Sequence, residues 1–371
     1  MYPDTTIKDN PKPDRSEQIL TAKRQKNAKN ASSPKGNSGR RQRVRLGAIF
    51  CLTLTLAFAG RSEAADKLRL GVQKTGTFAW ELAVIKASKL DAKADLDLVV
   101  TELASTEAAK IALMGGAVDI ILSDWLWVAR ERGLASNLVF QPYSTAVGAL
   151  MVPADSPIQT LDGLKGKTIG VAGGPIDKSW LLLRAYTQRD GLDLKASANV
   201  VFGAPALLYA KTANGELDAN LNFWNYVVSL EARGFRRLIG IDEVERRLGA
   251  KGPLAMVGYV FDESLAKSHG AALDRFFKIA HEAKEELARS DADWTRIGKE
   301  IGVTDPKELA LYRKRYVEGV PTRPVEDEAA DAAALYHILR DIGGPELVGA
   351  ANELNPGTFY KGAANQTPAE H

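Results

Sequence analysis

From about residue 67 to residue 240, short apolar segments typical of strands alternate with segments of helical spacing. Leu68, Leu70 and Val72 alternate with polar residues, which predicts a strand with one buried face. Residues 118–122 are almost continuously apolar, as in a parallel sheet covered on both faces. After residue 152 the pattern begins again. The chain therefore contains two successive blocks of strand, helix and strand.

The individual elements follow from the same periodicities. Ser105 is placed to cap a helix that ends at Gly115 and Gly116, because serine suits a helix start and glycine a helix end. Further strands are predicted at residues 96–100, 168–172, 200–202, 219–222, 237–240 and 256–260. Helices are predicted at residues 78–90 and 177–189 and, in the C-terminal third, at 263–290, 293–301, 305–318 and 326–340.

These elements predict an α/β protein with two doubly wound lobes, joined by a hinge of two chain crossings. Residues 66–147 and 256–360 are assigned to lobe 1, and residues 148–255 to lobe 2. Residues 361–371 are expected to form a flexible tail. A ligand in such a fold lies in the cleft between the lobes, at the carboxyl ends of the strands.

The N-terminal segment differs from the rest of the chain. Residues 1–39 are polar without periodicity, which predicts a disordered leader. Residues 40–65 begin with a cluster of four arginines at residues 40–45, followed by an apolar run at residues 46–59 and small residues, the pattern of a secretory signal peptide. The alternative is an uncleaved membrane anchor, although the run is shorter than the roughly 20 residues that span a bilayer. We therefore expect a periplasmic protein.

Removal of this segment would change the charge. Residues 1–65 hold 13 of the 49 Lys and Arg and 5 of the 46 Asp and Glu, which leaves 36 basic and 41 acidic residues. The basic character of the whole chain therefore gives no reason to expect nucleic-acid binding. The only cysteine, Cys51, lies in the apolar run, so disulfides and cysteine catalysis are excluded from the remainder.

Catalytic motifs are also missing from the sequence. The histidines are scattered over the C-terminal third and the tail, without the spacing of a metal site, and no phosphate-binding or dinucleotide-binding glycine motif occurs. We expect no enzyme activity, no cofactor and no metal. An unrecognised pair of catalytic carboxylates is the remaining enzymatic alternative.

Three stretches together resemble a known family. They are residues 105–119 (STEAAKIALMGGAVD), 161–171 (LDGLKGKTIGV) and 214–219 (NGELDA). In order and spacing they are similar to periplasmic solute-binding proteins of the nitrate/sulfonate/taurine class of ABC importers, over residues 67–345. Thiamine-pyrimidine synthases share that fold but depend on a cysteine-rich motif that this chain lacks.

The resemblance implies the type II periplasmic-binding-protein fold and a monomer that delivers a small solute to an inner-membrane permease. The expected solute is a sulfonate, an aromatic acid or a pyrimidine-like compound. A binding protein that serves a sensor or a periplasmic enzyme pathway is the alternative.

Residues after four of the predicted strands are the candidates for ligand contact, because the family places contacts there and because loop N–H groups suit anions or carbonyls. Asp177 also fits a helix cap, and Trp125 and Trp180 also fit the core. The candidates are Lys74, Thr75, Gly76, Thr77, Phe78 and Trp80; Ser123, Asp124 and Trp125; Gly173, Gly174, Asp177, Lys178, Ser179 and Trp180; and Phe223, Trp224 and Asn225.

Trp80, Trp125 and Trp224 favour an organic ligand with an apolar or ring face over an inorganic ion. The charges give a less simple picture. Lys74 and Lys178 are the cationic candidates, whereas the two aspartates add negative charge. Either the ligand is neutral or bears a cationic group, or some of these side chains point away.

Overall fold

The computed structural model describes residues 65–73 and 76–362, and the leader and nearly all of the signal segment and tail lie outside them. The described residues contain two five-stranded mixed sheets. We call the part of the molecule built on the first sheet lobe 1 and the part built on the second sheet lobe 2. The predicted two-lobed α/β fold is confirmed.

The first sheet has the strand order β2-β1-β3-β10-β4. β1 is parallel to β2 and β3, as predicted, but β10 is antiparallel to both β3 and β4. This direction arises because β10 re-enters the sheet from lobe 2. The bounds are β1 Asp66–Gln73, β2 Leu96–Leu103, β3 Ile120–Asp124, β4 Leu138–Ser144 and β10 Val257–Asp262.

The second sheet repeats this plan with the order β7-β6-β8-β5-β9. β6 is parallel to β7 and β8, whereas β5, which enters from lobe 1, is antiparallel to β8 and β9. In each sheet the strands are therefore parallel except for one antiparallel strand, by which the chain enters from the other lobe. This strand is β10 in the first sheet and β5 in the second. The bounds are β5 Gly148–Val152, β6 Thr168–Ala172, β7 Asn199–Gly203, β8 Ala219–Phe223 and β9 Arg236–Gly240.

Helices cover these sheets, and their ends follow the capping signals in the sequence. The Ser105 side chain accepts a hydrogen bond from Ala108 N at 3.1 Å, and Gly116 adopts φ +68° after the helix. The helices that precede β10 are α1 Thr77–Ala87, α2 Leu90–Lys93, α3 Thr106–Met114, α4 Trp125–Arg132, α5 Lys178–Arg189, α6 Leu194–Ser197, α7 Pro205–Ala213, α8 Trp224–Ala232 and α9 Ile241–Arg247.

The C-terminal third is helical, as predicted. Its helices are α10 Glu263–Arg289, α11 Asp291–Ile301, α12 Pro306–Glu318, α13 Val325–Gly343 and α14 Pro345–Val348. α13 packs on α5 of lobe 2, and α14 packs on α4 of lobe 1. The C-terminal third therefore touches both lobes, and the assignment of all residues 256–360 to lobe 1 stays a prediction.

Two short connections join the sheets directly: residues 145–147 between β4 and β5, and residues 248–256 before β10. Both sheets thus meet where their parallel strands end. In the part of the chain that the structure describes, no helix has the length and apolar character needed to cross a bilayer.

Candidate functional site

A cavity of about 390 Å³ lies where the loops of the two sheets meet. Its size falls in the range of small-molecule sites, roughly 300–1,000 Å³. Residues of both lobes line it: Gly71, Gln73, Gly76, Thr77, Phe78, Trp80, Thr106, Ala109, Leu122, Ser123, Asp124, Val147, Lys178, Ser179, Pro205, Phe223, Trp224, Asn225, Tyr226, Met256 and Val257. We call it the interlobe cavity.

Most of the predicted ligand residues meet at this cavity. They are Gly76, Thr77, Phe78, Trp80, Ser123, Asp124, Lys178, Ser179, Phe223, Trp224 and Asn225. Gly173, Gly174, Asp177, Trp125 and Trp180 are not among its lining residues. Lys74 and Thr75 lie outside the described residues. The residues that meet here come from four separate chain segments, as expected if ligands lie at the carboxyl ends of strands.

Trp125, the first residue of α4, is fully buried in the hydrophobic core and does not line the cavity. Its indole Nε1–H points at the Met256 sulfur at 3.3 Å, and its ring packs near Phe359. Met256 itself lines the cavity. Trp125 therefore supports the cavity wall from behind.

Asp177 acts as a helix cap and Trp180 lies in the core, which are the alternatives that the sequence left open for them. The Asp177 carboxylate caps α5, with Oδ1 3.0 Å from Ser179 N. The Trp180 side chain is only 1% exposed and packs edge-on against Phe202. Capping brings Lys178 and Ser179 to the cavity at the start of α5, while Trp180 faces the core.

An aromatic wall spans the two lobes. Trp80 on α1 of lobe 1 and Trp224 at the start of α8 of lobe 2 meet edge to face, with ring centroids 6.0 Å apart. Tyr312 on α12 packs edge-on against both. Such aromatic contacts are worth roughly 0.5–1.5 kcal/mol beyond area burial. The wall offers an apolar surface to a solute and links the lobes.

The polar wall includes residues that sequence reasoning missed. Gln73 Nε2 donates to Thr106 Oγ1 at 2.7 Å, and both residues line the cavity. Ser123 is buried, and its hydroxyl has no hydrogen-bond partner among the described residues. An unpaired buried hydroxyl costs about 1–3 kcal/mol, so it favours a ligand that supplies a partner.

Thr77, at the start of α1, is held from behind by a buried polar cluster. Tyr143 donates a hydrogen bond to Thr77 Oγ1 at 3.0 Å, and the Lys284 ammonium lies 4.4 Å from the Tyr143 ring centroid. Lys284 Nζ pairs with Glu81 at 2.5 Å, and Tyr259 donates to Glu81 at 2.6 Å. Charge and aromatic packing together fix this wall of the cavity.

Burial sets the protonation of this cluster. Burial lowers the pKa of Lys284, while the adjacent Glu81 carboxylate acts in the opposite direction. Burial, reinforced by the charge of Glu81, raises the pKa of Tyr143 and of Tyr259 well above 10.0. Both phenols therefore remain neutral donors at ordinary pH.

The described residues contain no group of three or more His, Cys, Asp or Glu side chains arranged to hold a metal ion. What the cavity offers is an aromatic wall, several hydroxyl and amide groups, and the charged side chains Asp124 and Lys178. This arrangement can enclose a small organic molecule and orient it by hydrogen bonds.

Comparison of structures defines the class of fold. The periplasmic aliphatic sulphonate binding protein SsuA from Escherichia coli is 21% identical with a TM-score of 0.64, over 80% of this chain and 92% of that chain. The alkanesulfonate-binding protein SsuA from Xanthomonas axonopodis pv. citri, bound to MOPS, is 18% identical with a TM-score of 0.60, over 79% and 98%. An ABC transporter protein from Parabacteroides distasonis is 12% identical with a TM-score of 0.59, over 80% and 99%. The chain therefore has the two-lobed fold of periplasmic binding proteins.

The family follows from the sequence match. The model of the NMT1/THI5-like family matches residues 92–289, more than half of the chain, so the chain belongs to that family. No curated protein matches it. The family resemblance predicted from the three sequence stretches is confirmed.

Proposed function

We propose that this chain is the periplasmic solute-binding component of an ABC importer, which captures a small organic solute in the interlobe cavity by hinge closure. The observation that carries the proposal is the aromatic wall made by Trp80 of lobe 1 and Trp224 of lobe 2. A site divided between two lobes binds fully only when the lobes close, so binding and closure are coupled.

Polar contacts between α8 and α12 support closure as the mode of action. Tyr312 donates to the carbonyl oxygen of Asn225 at 2.9 Å, Arg315 pairs with Glu231 at 2.9 Å, and Ser229 donates to Glu308 at 2.7 Å. Asn225 also lines the cavity. Tyr312 and Asn225 thus connect the cavity with the contact between α8 and α12.

The class of partner rests on the family and on the names of the structural neighbours. Two of those neighbours are named as sulfonate-binding proteins, one of them explicitly periplasmic. We therefore propose a periplasmic location, an inner-membrane permease as partner, and a monomer without cofactor or catalytic activity. A binding protein that supplies a sensor or an enzyme pathway would use the same capture chemistry.

A thermal-shift screen tests the proposal. The library contains sulfonates, nitrate, aromatic acids, pyrimidines, amines and metal chelates. A ligand at 100 times its dissociation constant stabilises the folded state by about 2.7 kcal/mol. A hit confirmed by calorimetry, without turnover and with a more compact scattering profile, supports capture by closure. Turnover of the hit, or identical scattering with and without it, contradicts the proposal.

Variants of Trp224 locate the hit in the cavity. Trp224→Ala removes the lobe 2 half of the aromatic wall, so affinity is expected to fall by more than about tenfold, with the protein still folded by circular dichroism. Trp224→Phe keeps an aromatic face and should lose less. Unchanged affinity in Trp224→Ala would place the ligand elsewhere.

A further inference from the structure

Few charged groups line the interlobe cavity among the residues that the structure describes. Among the described lining residues, Asp124 of lobe 1 and Lys178 of lobe 2 carry the charge. The lining contains no arginine or histidine in the described part of the chain. A cavity built for a simple oxyanion would place several donors and cations around it without a carboxylate, because a carboxylate repels the anion.

Asp124 retains accepting capacity toward the cavity. Its Oδ1 accepts a hydrogen bond from Trp127 N at 2.9 Å and so caps α4. Among the described residues no hydrogen bond reaches its Oδ2. The carboxylate is partly buried at the lining. It can therefore cap the helix and accept a further hydrogen bond from a solute at the same time.

Asp177 supplies a second carboxylate at the start of α5 in lobe 2, next to the lining residue Lys178. It caps α5 and is not itself among the lining residues of the cavity. Burial raises the pKa of Asp177, Lys178 and the α5 N–H groups lower it, and the charge of Asp124 raises it. A positive charge bound at Asp124 would offset this effect of the Asp124 charge on Asp177.

A third observation comes from the buried Ser123 hydroxyl, which lines the cavity next to Asp124 and has no partner among the described residues. This hydroxyl can accept one hydrogen bond from a solute N–H while Asp124 accepts another. Trp80 and Trp224 present aromatic surface in the same cavity, which also attracts cations.

We propose that the interlobe cavity binds a small organic solute carrying an N–H cation, an ammonium or an amidinium, which donates to the Asp124 carboxylate and to the Ser123 hydroxyl. The inference rests on the proposed solute-binding function and names its substrate class. A solute that also carries an anionic group meets Lys178.

The test uses three probes that share one ring: benzylamine, benzyl alcohol and phenylmethanesulfonate. The protein is expressed from the full reading frame, and melting temperature and calorimetric affinity are measured with each probe in the millimolar range. Benzylamine is expected to stabilise the protein more than the other two probes, because it alone supplies the positive charge.

Two variants complete the experiment. Asp124→Asn still caps α4, since asparagine is a good cap, but should lower benzylamine affinity by about tenfold or more through loss of a charged hydrogen bond. Asp155→Asn, at an exposed position, should leave it unchanged. An equal benzylamine response in Asp124→Asn overturns the proposal.

The remaining outcomes separate this inference from the proposed function. A response to phenylmethanesulfonate or benzyl alcohol equal to or above that of benzylamine overturns the cation proposal and leaves solute binding intact. No response to the three probes overturns the cation proposal. If the wider library also gives no response, the proposed binding function is overturned as well.

Discussion

The stability of the molecule should depend on pH through Glu328 of α13. This side chain is fully buried beneath the connection that returns the chain to β10. Its Oε2 accepts a hydrogen bond from Ala255 N at 2.8 Å, while Oε1 has no partner among the described residues. Burial raises its pKa to about 7, although the Ala255 N–H and Arg323 act in the opposite direction.

Other ionisable groups share this environment. Asp331 of α13 raises the pKa of Glu328, and it accepts hydrogen bonds from Lys251 N and Arg323. Glu245 of α9 is also buried, and its own pKa is raised well above 4.5, chiefly by burial and partly by neighbouring carboxylates that include Glu328. The carboxylates of α9 and α13 thus surround the second connection between the lobes.

The expected magnitude follows from the change in pKa of Glu328. The folded state holds the proton more tightly than the unfolded state, so its contribution is fully present below pH 4.5 and lost as pH rises through about 7. At about 1.4 kcal/mol for each pKa unit, the contribution is about 3 kcal/mol.

Glu328→Gln tests this reasoning, because glutamine keeps an acceptor for Ala255 N but does not titrate. Urea unfolding at several values between about pH 5 and pH 8 gives the free energy of unfolding. The parent protein should lose about 2.5 kcal/mol more over this range than the variant, which is most of the contribution of Glu328. Glu326→Gln, exposed on the same helix, serves as control. Parallel pH profiles of parent and Glu328→Gln would refute the reasoning.

Two further changes probe the framework around the site. Lys284→Met leaves Glu81 buried without its cation and should lower the free energy of unfolding in urea by about 3–5 kcal/mol. The double variant with Glu81→Gln should recover part of this loss. No recovery would argue against a paired cluster. Gly148→Ala would place a Cβ 2.1 Å from Asn222 O and should lower the free energy of unfolding by about 3 kcal/mol. Gly116→Ala has open space around its Cβ and should lower it by about 1 kcal/mol. Equal losses in the two variants would contradict the steric argument.

Local signals in the sequence predicted local structure well. The strand at residues 168–172 and the cap at Ser105 agree with the structure, because alternation and capping depend on neighbours in sequence. The gathering of Thr77, Ser123 and Trp224 at one cavity followed from the rule that ligands lie at strand ends.

Side-chain direction could not be predicted in the same way. Trp125 and Trp224 each follow a strand, yet Trp125 is buried in the core and Trp224 reaches the cavity. The pairing of Glu81 with Lys284 joins residues 203 positions apart, which no local pattern records. Nor does an apolar run specify whether a strand is parallel, so the antiparallel β10 was not predicted.

The position of β10 sets an order for the assembly of the molecule. β10 lies between β3 and β4, so the first sheet, which begins at Asp66, stays incomplete until Asp262 has joined it. The strands of the second sheet all lie within residues 148–240. Because contacts between distant residues form more slowly than local ones, lobe 2 is expected to fold first. Lobe 1, whose strands come from both sides of lobe 2 in the sequence, is completed last. A chaperone or protease acting on the nascent chain would therefore meet the strands of lobe 1 for longer than those of lobe 2.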